Sequence, residues 1–362
     1  MKNILFALGH PAHYHLYKNV IKELSDKSFN ITVVISDKDI LKKLLDQQKI
    51  KYFVIAEKKA NETIFEKFFK LIKSSIQLNT LVKLYKPDLM VGCLTQIGIV
   101  GWINNIPTLF NAEDDINYTY LQALITYPFI KHIVSPFPTK VSIFDYKKIG
   151  YDGYQKLAYL HPKRFAPDKN KIAIKDKKYF IIRLSKLNAY HDINVSGLSD
   201  DIVFKIINLL KTKGEVLITS ERAVPEEFKD CIFIGNPQDM HHNLAFADLY
   251  IGDSQSMAVE AALLGTPGIR FNKFADKISI INELEKKYQL TTSINSSEPD
   301  KLLAVINDLL HQNDVKEVYT ARAQIMLKEK IDVTAFFVWL IESYPSSFME
   351  LKRNNNIQNQ FK

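Results

Sequence analysis

The segment Ala247-Asp248-Leu249-Tyr250-Ile251-Gly252-Asp253-Ser254-Gln255-Ser256-Met257-Ala258-Val259-Glu260-Ala261-Ala262-Leu263-Leu264-Gly265-Thr266-Pro267-Gly268-Ile269-Arg270-Phe271 reads as strand, turn, helix, turn, strand. Leu249 to Ile251 is a short apolar run stopped by Gly252-Asp253-Ser254, the pattern of a buried strand entering a turn. Ser256 to Leu264 is rich in Ala, Met, Glu and Leu, all good helix formers. Gly265-Thr266-Pro267 then ends the helix. Asp253 or Ser254 falls at the N-cap, where a side-chain oxygen accepts a bond from a free backbone N–H. A helix N-terminus carries unpaired N–H groups and the positive end of the dipole, so it favours a phosphate. Glu260 lies about a turn and a half further in, where a carboxylate can accept bonds from a ribose. The same pattern also describes an ordinary capped helix in an α/β sheet.

Outward from this segment, composition narrows the choices. A chain of 362 residues is long enough for two α/β domains. Its net charge of +8 points to an anionic partner: nucleic acid, an anionic membrane surface or a phosphorylated substrate. Neither zinc-finger spacing nor a basic repeat is present, so nucleic acid is set aside. Cys93 and Cys231 sit in apolar, strand-like surroundings and read as reduced core residues of a cytoplasmic protein. The Met1 to Leu8 run is too short for a secretory signal. No stretch approaches the ~18–20 continuous apolar residues of a membrane span. The expectation is a cytoplasmic protein, with a peripheral contact at an anionic inner membrane face left open.

Taken in order, the chain opens as strand Asn3–Leu8, loop Gly9-His10-Pro11-Ala12-His13, helix Tyr14–Leu24 and strand Asn30–Ile35. This is the start of a doubly wound sheet. The glycine fingerprint of dinucleotide-binding folds is absent, which argues against a NAD-type site. Helix Asp39–Gln48 and strand Lys51–Ile55 follow. Asn61–Tyr85 is a long basic amphipathic helix with Phe65, Phe68, Phe69, Ile72 and Ile76. It suits either packing on the sheet or a membrane surface. Strands Pro87–Cys93 and Ile106–Phe110 flank helix Gln96–Asn104. The second of these strands runs into Glu113-Asp114-Asp115, acids placed where α/β sheets bind ligands. Strand Ile130–Ser135 closes the first set.

Lys163 to Lys178 is basic and poorly periodic, as a linker is. Strand Tyr179–Leu184, helix Ser199–Lys211 and strands Glu215–Thr219 and Cys231–Ile234 restart the rhythm. Helix Met240–Ala247 leads into the central segment. His241 and His242 read as a cap and a solvated side chain. Helices Ser279–Tyr288, Pro299–His311, Val315–Lys328 and Thr334–Tyr344 complete the chain. The expected domains are residues 1–162, residues 163–333, a helix at 334–351 that crosses back to the first domain, and a frayed polar tail at 352–362.

The central segment is similar to the donor-nucleotide motif of GT-B-fold nucleotide-sugar enzymes. In the UDP-N-acetylglucosamine 2-epimerases a Ser and two glycines hold the diphosphate and a Glu holds the ribose. Asp253, Ser254, Glu260 and Ala261 match that pattern, while Gln255 and Ser256 replace the glycines. Three further islands extend the likeness: Gly9-His10-Pro11-Ala12-His13-Tyr14-His15, the Tyr151 to Phe165 segment, and Leu187-Asn188-Ala189-Tyr190-His191-Asp192. Together they resemble an uncharacterised polysaccharide-locus group labelled epimerase-like. The resemblance implies an α/β GT-B fold, two Rossmann-like doubly wound domains facing a cleft, with the nucleotide mainly on the C-terminal one.

Two reactions compete within that fold. A UDP-sugar 2-epimerase removes a proton from carbon 2 and eliminates the nucleotide, which needs positioned carboxylates. Glu113 matches one family Glu and His191 matches the diphosphate-contacting His. The arginines expected after it are replaced by Asp192-Ile193-Asn194, and two expected carboxylates are missing. A glycosyltransferase instead needs one base at the acceptor hydroxyl and donors for the leaving diphosphate, commonly without a metal. His13 is the first choice of base, with His10, His15 and Glu113 behind it; the His spacing fits no zinc motif. The donor site is assigned to Arg183, His191, Ser254, Gln255, Ser256 and Glu260. For Arg183 a surface ion pair is the alternative, and for Arg270 a pair with Glu260. The transferase reading takes a UDP-linked sugar and a saccharide or lipid-linked acceptor, with no cofactor. A silent nucleotide-sugar-binding partner protein is the third reading.

Overall fold

Parallel neighbours need a crossover connection, which the amphipathic helices between these short apolar strands supply, and among the described residues the strands form two parallel sheets. The computed structural model describes residues 2–36, 39–56, 63–185 and 197–362. Two compact units result: Met1–His161 with Lys330–Lys362, and Pro162–Glu329. The expected α/β GT-B fold, with Rossmann-like sheets, is what the chain adopts.

The first unit begins with β1 (Asn3–Leu8), α1 (Pro11–Asp26), β2 (Asn30–Ser36), α2 (Asp39–Gln47) and β3 (Phe53–Ala56). It continues through α3 (Ile64–Tyr85), β4 (Leu89–Gly92), α4 (Gln96–Ile103), β5 (Thr108–Asn111), α5 (Tyr120–Thr126), β6 (His132–Pro136), β7 (Lys148–Tyr151) and α6 (Leu157–Leu160). Strand order is β3-β2-β1-β4-β5-β6-β7. Winding proceeds outward from β1 on one side and from β4 on the other, so the switch point lies between those two strands. β1 is buried on both faces from Ile4 to Leu8, as a central parallel strand must be. Gly92 closes the approach of β4 to β1, because a Cβ there would stand 2.2 Å from the Ala7 carbonyl oxygen. Thr63 and Glu66 form a reciprocal capping box that starts α3.

The second unit contains β8 (Tyr179–Leu184), α7 (Asp200–Lys211), β9 (Glu215–Ser220), α8 (Met240–Phe246), β10 (Leu249–Gly252), α9 (Gln255–Leu263), β11 (Gly268–Phe271), α10 (Ser279–Lys286), β12 (Thr292–Ile294), α11 (Pro299–His311) and α12 (Val315–Glu329). Strand order is β12-β11-β10-β8-β9, with the switch point between β8 and β10. Cys231–Ile234, expected as a strand, is not one. A 3-10 turn covers Glu226–Cys231, and only Ile232 bridges to Ile218. Pro225 and Gly235 bracket the run too tightly for a ladder to grow.

Helices α13 (Val333–Glu342) and α14 (Ser346–Arg353) belong to the first unit. Phe337 of α13 packs its ring 5.7 Å from Tyr17, and the Thr334 hydroxyl donates to the Ala158 carbonyl at 2.7 Å. The terminal residues, expected to fray, are fixed. Gln358 and Phe361 are buried, and Gln358 accepts from the Asp152 N–H at 3.0 Å. Phe361 stacks on Trp339 at 5.5 Å, an anchor that the polar composition of the tail hides.

Lys316 ties α12 to both flanks of the central segment. Its ammonium donates to the Ala245 carbonyl and to Thr266 Oγ1, each at 2.7 Å. Burial pushes its pKa down to about 7, against the raising fields of Asp248 and Glu317. The folded state therefore holds fewer protons than the unfolded chain between that value and the ordinary lysine range, and this group's contribution to stability rises with pH through that window. Lys316→Met is expected to lose about 2 kcal/mol more stability at pH 9 than at pH 6. Urea titrations at the two pH values measure it, and an equal loss at both contradicts the assignment.

Candidate functional site

Each unit places its unusual polar groups at the carboxyl ends of its strands. In the first unit the loop after β1 carries His10 and His13. His10 is the N-cap of α1, and its Nδ1 accepts from the Ala12 N–H at 3.2 Å. His13 Nδ1 accepts from the Gly9 N–H at 3.0 Å, and the two rings lie 6.0 Å apart. An imidazole that accepts at Nδ1 carries its proton on Nε2 when neutral. Neutral His10 and His13 are therefore Nε2–H tautomers. Gly9 keeps this loop against the turn after β4, since a Cβ there would meet Leu94 Cδ2 at 2.5 Å.

Across the switch point, the acids after β5 divide. Asp114 is exposed. Asp115 is buried and accepts from the Lys140 N–H at 2.7 Å, a structural bond. The Glu113 carboxylate is ion-paired with the Lys156 ammonium. Their side chains are 12% and 3% exposed. Taking both charges out of water is costly, and the pair holds only because each compensates the other. Lys156 Nζ also donates to Gln155 Oε1 at 3.4 Å. Burial drives the Cys93 thiol pKa well up, and the Glu113 charge adds to that, while hydrogen bonds with Asn111 and Tyr17 oppose it. Burial, then Glu113 and Cys93, raises the Tyr151 hydroxyl in the same way. Tyr17, Cys93, Glu113, Tyr151 and Lys156 thus form one electrostatically linked cluster. Lys156 was not singled out from sequence. Its only signal is the apolar run Leu157-Ala158-Tyr159-Leu160 that follows it and buries its stem.

In the second unit, Arg183 of β8 pairs in register with Gly252 of β10. A Cβ on Gly252 would meet the Arg183 Cβ at 2.9 Å, so the glycine permits the approach. The Arg183 guanidinium donates to Thr219 Oγ1 at 2.8 Å and is ion-paired with Glu221. That is the alternative held open for it, and a phosphate would have to displace Glu221. Asp253 is buried; its Oδ1 accepts from the Ser185 N–H at 2.7 Å and so ties the turns after β8 and β10 together. Ser254 is the N-cap of α9 and accepts from the Met257 N–H at 3.4 Å. Gln255 is half-buried and Ser256 exposed, so the first turn of α9 reaches solvent.

Further along α9, the Glu260 carboxylate lies 3.3 Å from His241 Nε2 of α8, the two side chains being 15% and 18% exposed. His241 and His242 are thus neither cap nor solvated. They lie inside α8, His242 is buried with its Nδ1 accepting from the Asp168 N–H at 3.0 Å, and burial lowers its pKa. Phe165 flanks both rings, 6.1 Å from His241 and 4.8 Å from His242. No sequence spacing announces the His241–Glu260 contact, because it joins two helices. Arg270 is buried, and its guanidinium donates to the Phe274 carbonyl at 3.4 Å. His191 lies outside the described residues.

Solved structures share this fold. The S. aureus MnaA–UDP co-structure aligns with a TM-score of 0.71 and 15% identity, over 96% of this chain and 98% of that one. A UDP-GlcNAc 2-epimerase from Neisseria meningitidis bound to UDP-GlcNAc aligns with a TM-score of 0.66 and 15% identity, over 96% and 100%. The spinosyn rhamnosyltransferase SpnG, complexed with spinosyn aglycone, aligns with a TM-score of 0.60 and 13% identity, over 95% and 100%. Such low identities establish the fold and leave the reaction open. No curated protein sequence matches the chain. The family model described as protein of unknown function (DUF354) matches residues 3–332, and the chain belongs to that family.

Proposed function

We propose that this protein is a nucleotide-sugar-dependent glycosyltransferase that uses a UDP-linked donor. The carrying observation is the β10–α9 corner of the second unit. There a capped helix N-terminus, open in its first turn, meets a shielded Glu260 on the same helix. Backbone N–H groups at such an end take a diphosphate, and Glu260, oriented by His241, takes the ribose hydroxyls. Ser254, Gln255 and Ser256 supply the remaining donors. Arg183 is held by Glu221 and enters only if that pair opens.

For the first unit the proposed chemistry is acceptor activation. Glu113 removes the acceptor proton, and its ion pair with Lys156 holds the carboxylate in place. His13 and His10, as Nε2 donors, steady an anionic oxygen. The transferase is preferred to the 2-epimerase because proton removal at carbon 2 needs an acid as well as a base. Of the acids after β5, Asp115 is committed to the Lys140 N–H and Asp114 is exposed, which leaves Glu113 as the one candidate among them. Following the sequence resemblance, we place the reaction in the assembly of bacterial surface polysaccharide, on the cytoplasmic side, without a metal.

Glu260→Ala is expected to weaken UDP binding about tenfold or more while the circular dichroism spectrum stays unchanged. Calorimetry measures this, and an unaltered affinity removes α9 from the donor site. Glu113→Gln is expected to lower turnover at least about a hundredfold with nucleotide affinity preserved. Equal losses in both would recast Glu113 as structural.

A further inference from the structure

We propose that α3 of the first unit is a docking surface for an anionic phospholipid bilayer. The inference is independent of which nucleotide the second unit takes. Surface helices of globular proteins turn their apolar stripe inward, and α3 does so with Leu78 and Val82, both buried. Its N-terminal half carries a second stripe facing the other way. Phe65, Phe69, Ile72 and Ile76 recur four, three and four residues apart, and are 76%, 66%, 42% and 63% exposed. Phe68 beside them is 58% exposed, its ring 6.1 Å from that of Phe69. Single exposed apolar residues are ordinary, but a contiguous stripe marks an interaction site.

The neighbouring helix carries further exposed apolar side chains. α4 is fastened to α3 by Gln96 Nε2 donating to Ser74 Oγ at 2.8 Å and Asn104 Nδ2 donating to Asn79 Oδ1 at 2.7 Å. It ends in Trp102 and Ile103, 67% and 62% exposed.

Charge decides the occupant. α3 holds Lys67, Lys70, Lys73 and Lys83 against the single acid Glu66, four positive charges less one negative, a net +3. Lys67, Lys70 and Lys73 are spaced three apart and form a ridge that winds round the helix and reaches the apolar stripe at Lys73. A second copy of the chain docking by two-fold symmetry would bring this ridge against its own image. Anionic lipid headgroups complement it instead, while the aromatic stripe enters the headgroup and acyl boundary. No described helix is long and apolar enough to cross a membrane, so the contact lies on the surface.

Co-sedimentation of the full chain with phosphatidylcholine vesicles, with or without about one third phosphatidylglycerol, tests this. The wild type should bind the phosphatidylglycerol vesicles and release them at high salt. The triple variant Phe65→Ser, Phe69→Ser, Ile76→Ser should bind at least about tenfold more weakly, with an unchanged melting curve because these side chains face solvent. The pair Lys67→Glu, Lys73→Glu should lose the preference for phosphatidylglycerol without touching the apolar stripe. Absence of wild-type binding, or equal binding by the variants, would overturn the proposal. So would a dimer in sedimentation velocity that the triple variant dissociates while vesicle binding persists.

Discussion

A parallel sheet that reverses its winding direction leaves neighbouring strand ends whose following loops diverge, and the space between them can be filled only by side chains or a ligand. Both units are built on this constraint. Between β1 and β4 the diverging loops present His10 and His13 on one side and Cys93 and Leu94 on the other. Between β8 and β10 they present Arg183 and the N-cap of α9. Small residues make the approach possible. Gly92 and Gly252 sit where a Cβ would collide with the adjoining strand.

Within the first unit the Glu113–Lys156 pair dominates the electrostatics. A charge pair shielded to this degree contributes little net stability, because desolvation offsets the attraction. Its consequence is a fixed carboxylate beside a strand end, with the Cys93 thiol and Tyr151 hydroxyl held protonated by burial and by the same negative field. Those two groups therefore stay protonated near neutral pH. In the second unit Asp253 fixes the turn after β8, and Lys316 fixes α12 behind the segment.

The fold was legible where local signals agreed. The central segment shows a strand, a capping Ser, an Ala-rich helix and a Gly-Thr-Pro stop in sequence, and the structure reproduces each within a residue or two. β7 escaped because Lys148-Ile149-Gly150-Tyr151 is short and carries a glycine at its centre, and α14 and the terminal turn escaped because their polar residues conceal the Phe361 anchor. The contacts around the proposed site were less legible than the fold. Residue type pointed to Glu113, Ser254 and Glu260, but contacts between distant elements were invisible. Lys156 carried no signal of its ion pair with Glu113, His241 was read as a cap or a solvated side chain, and the Gly9 N–H bond to His13 Nδ1 depends on a loop geometry that spacing does not give.

The most direct measurement is NMR of the protein in D2O with a panel of UDP-, GDP-, CMP- and dTDP-sugars and no acceptor. The account predicts saturation transfer from the protein to the nucleotide protons of a UDP-sugar, with the proton on sugar carbon 2 retained. Exchange of that proton for deuterium, or release of an epimerised sugar, would contradict the transferase and establish 2-epimerase chemistry. Absence of transfer to every nucleotide sugar would contradict the donor site at the α9 N-terminus.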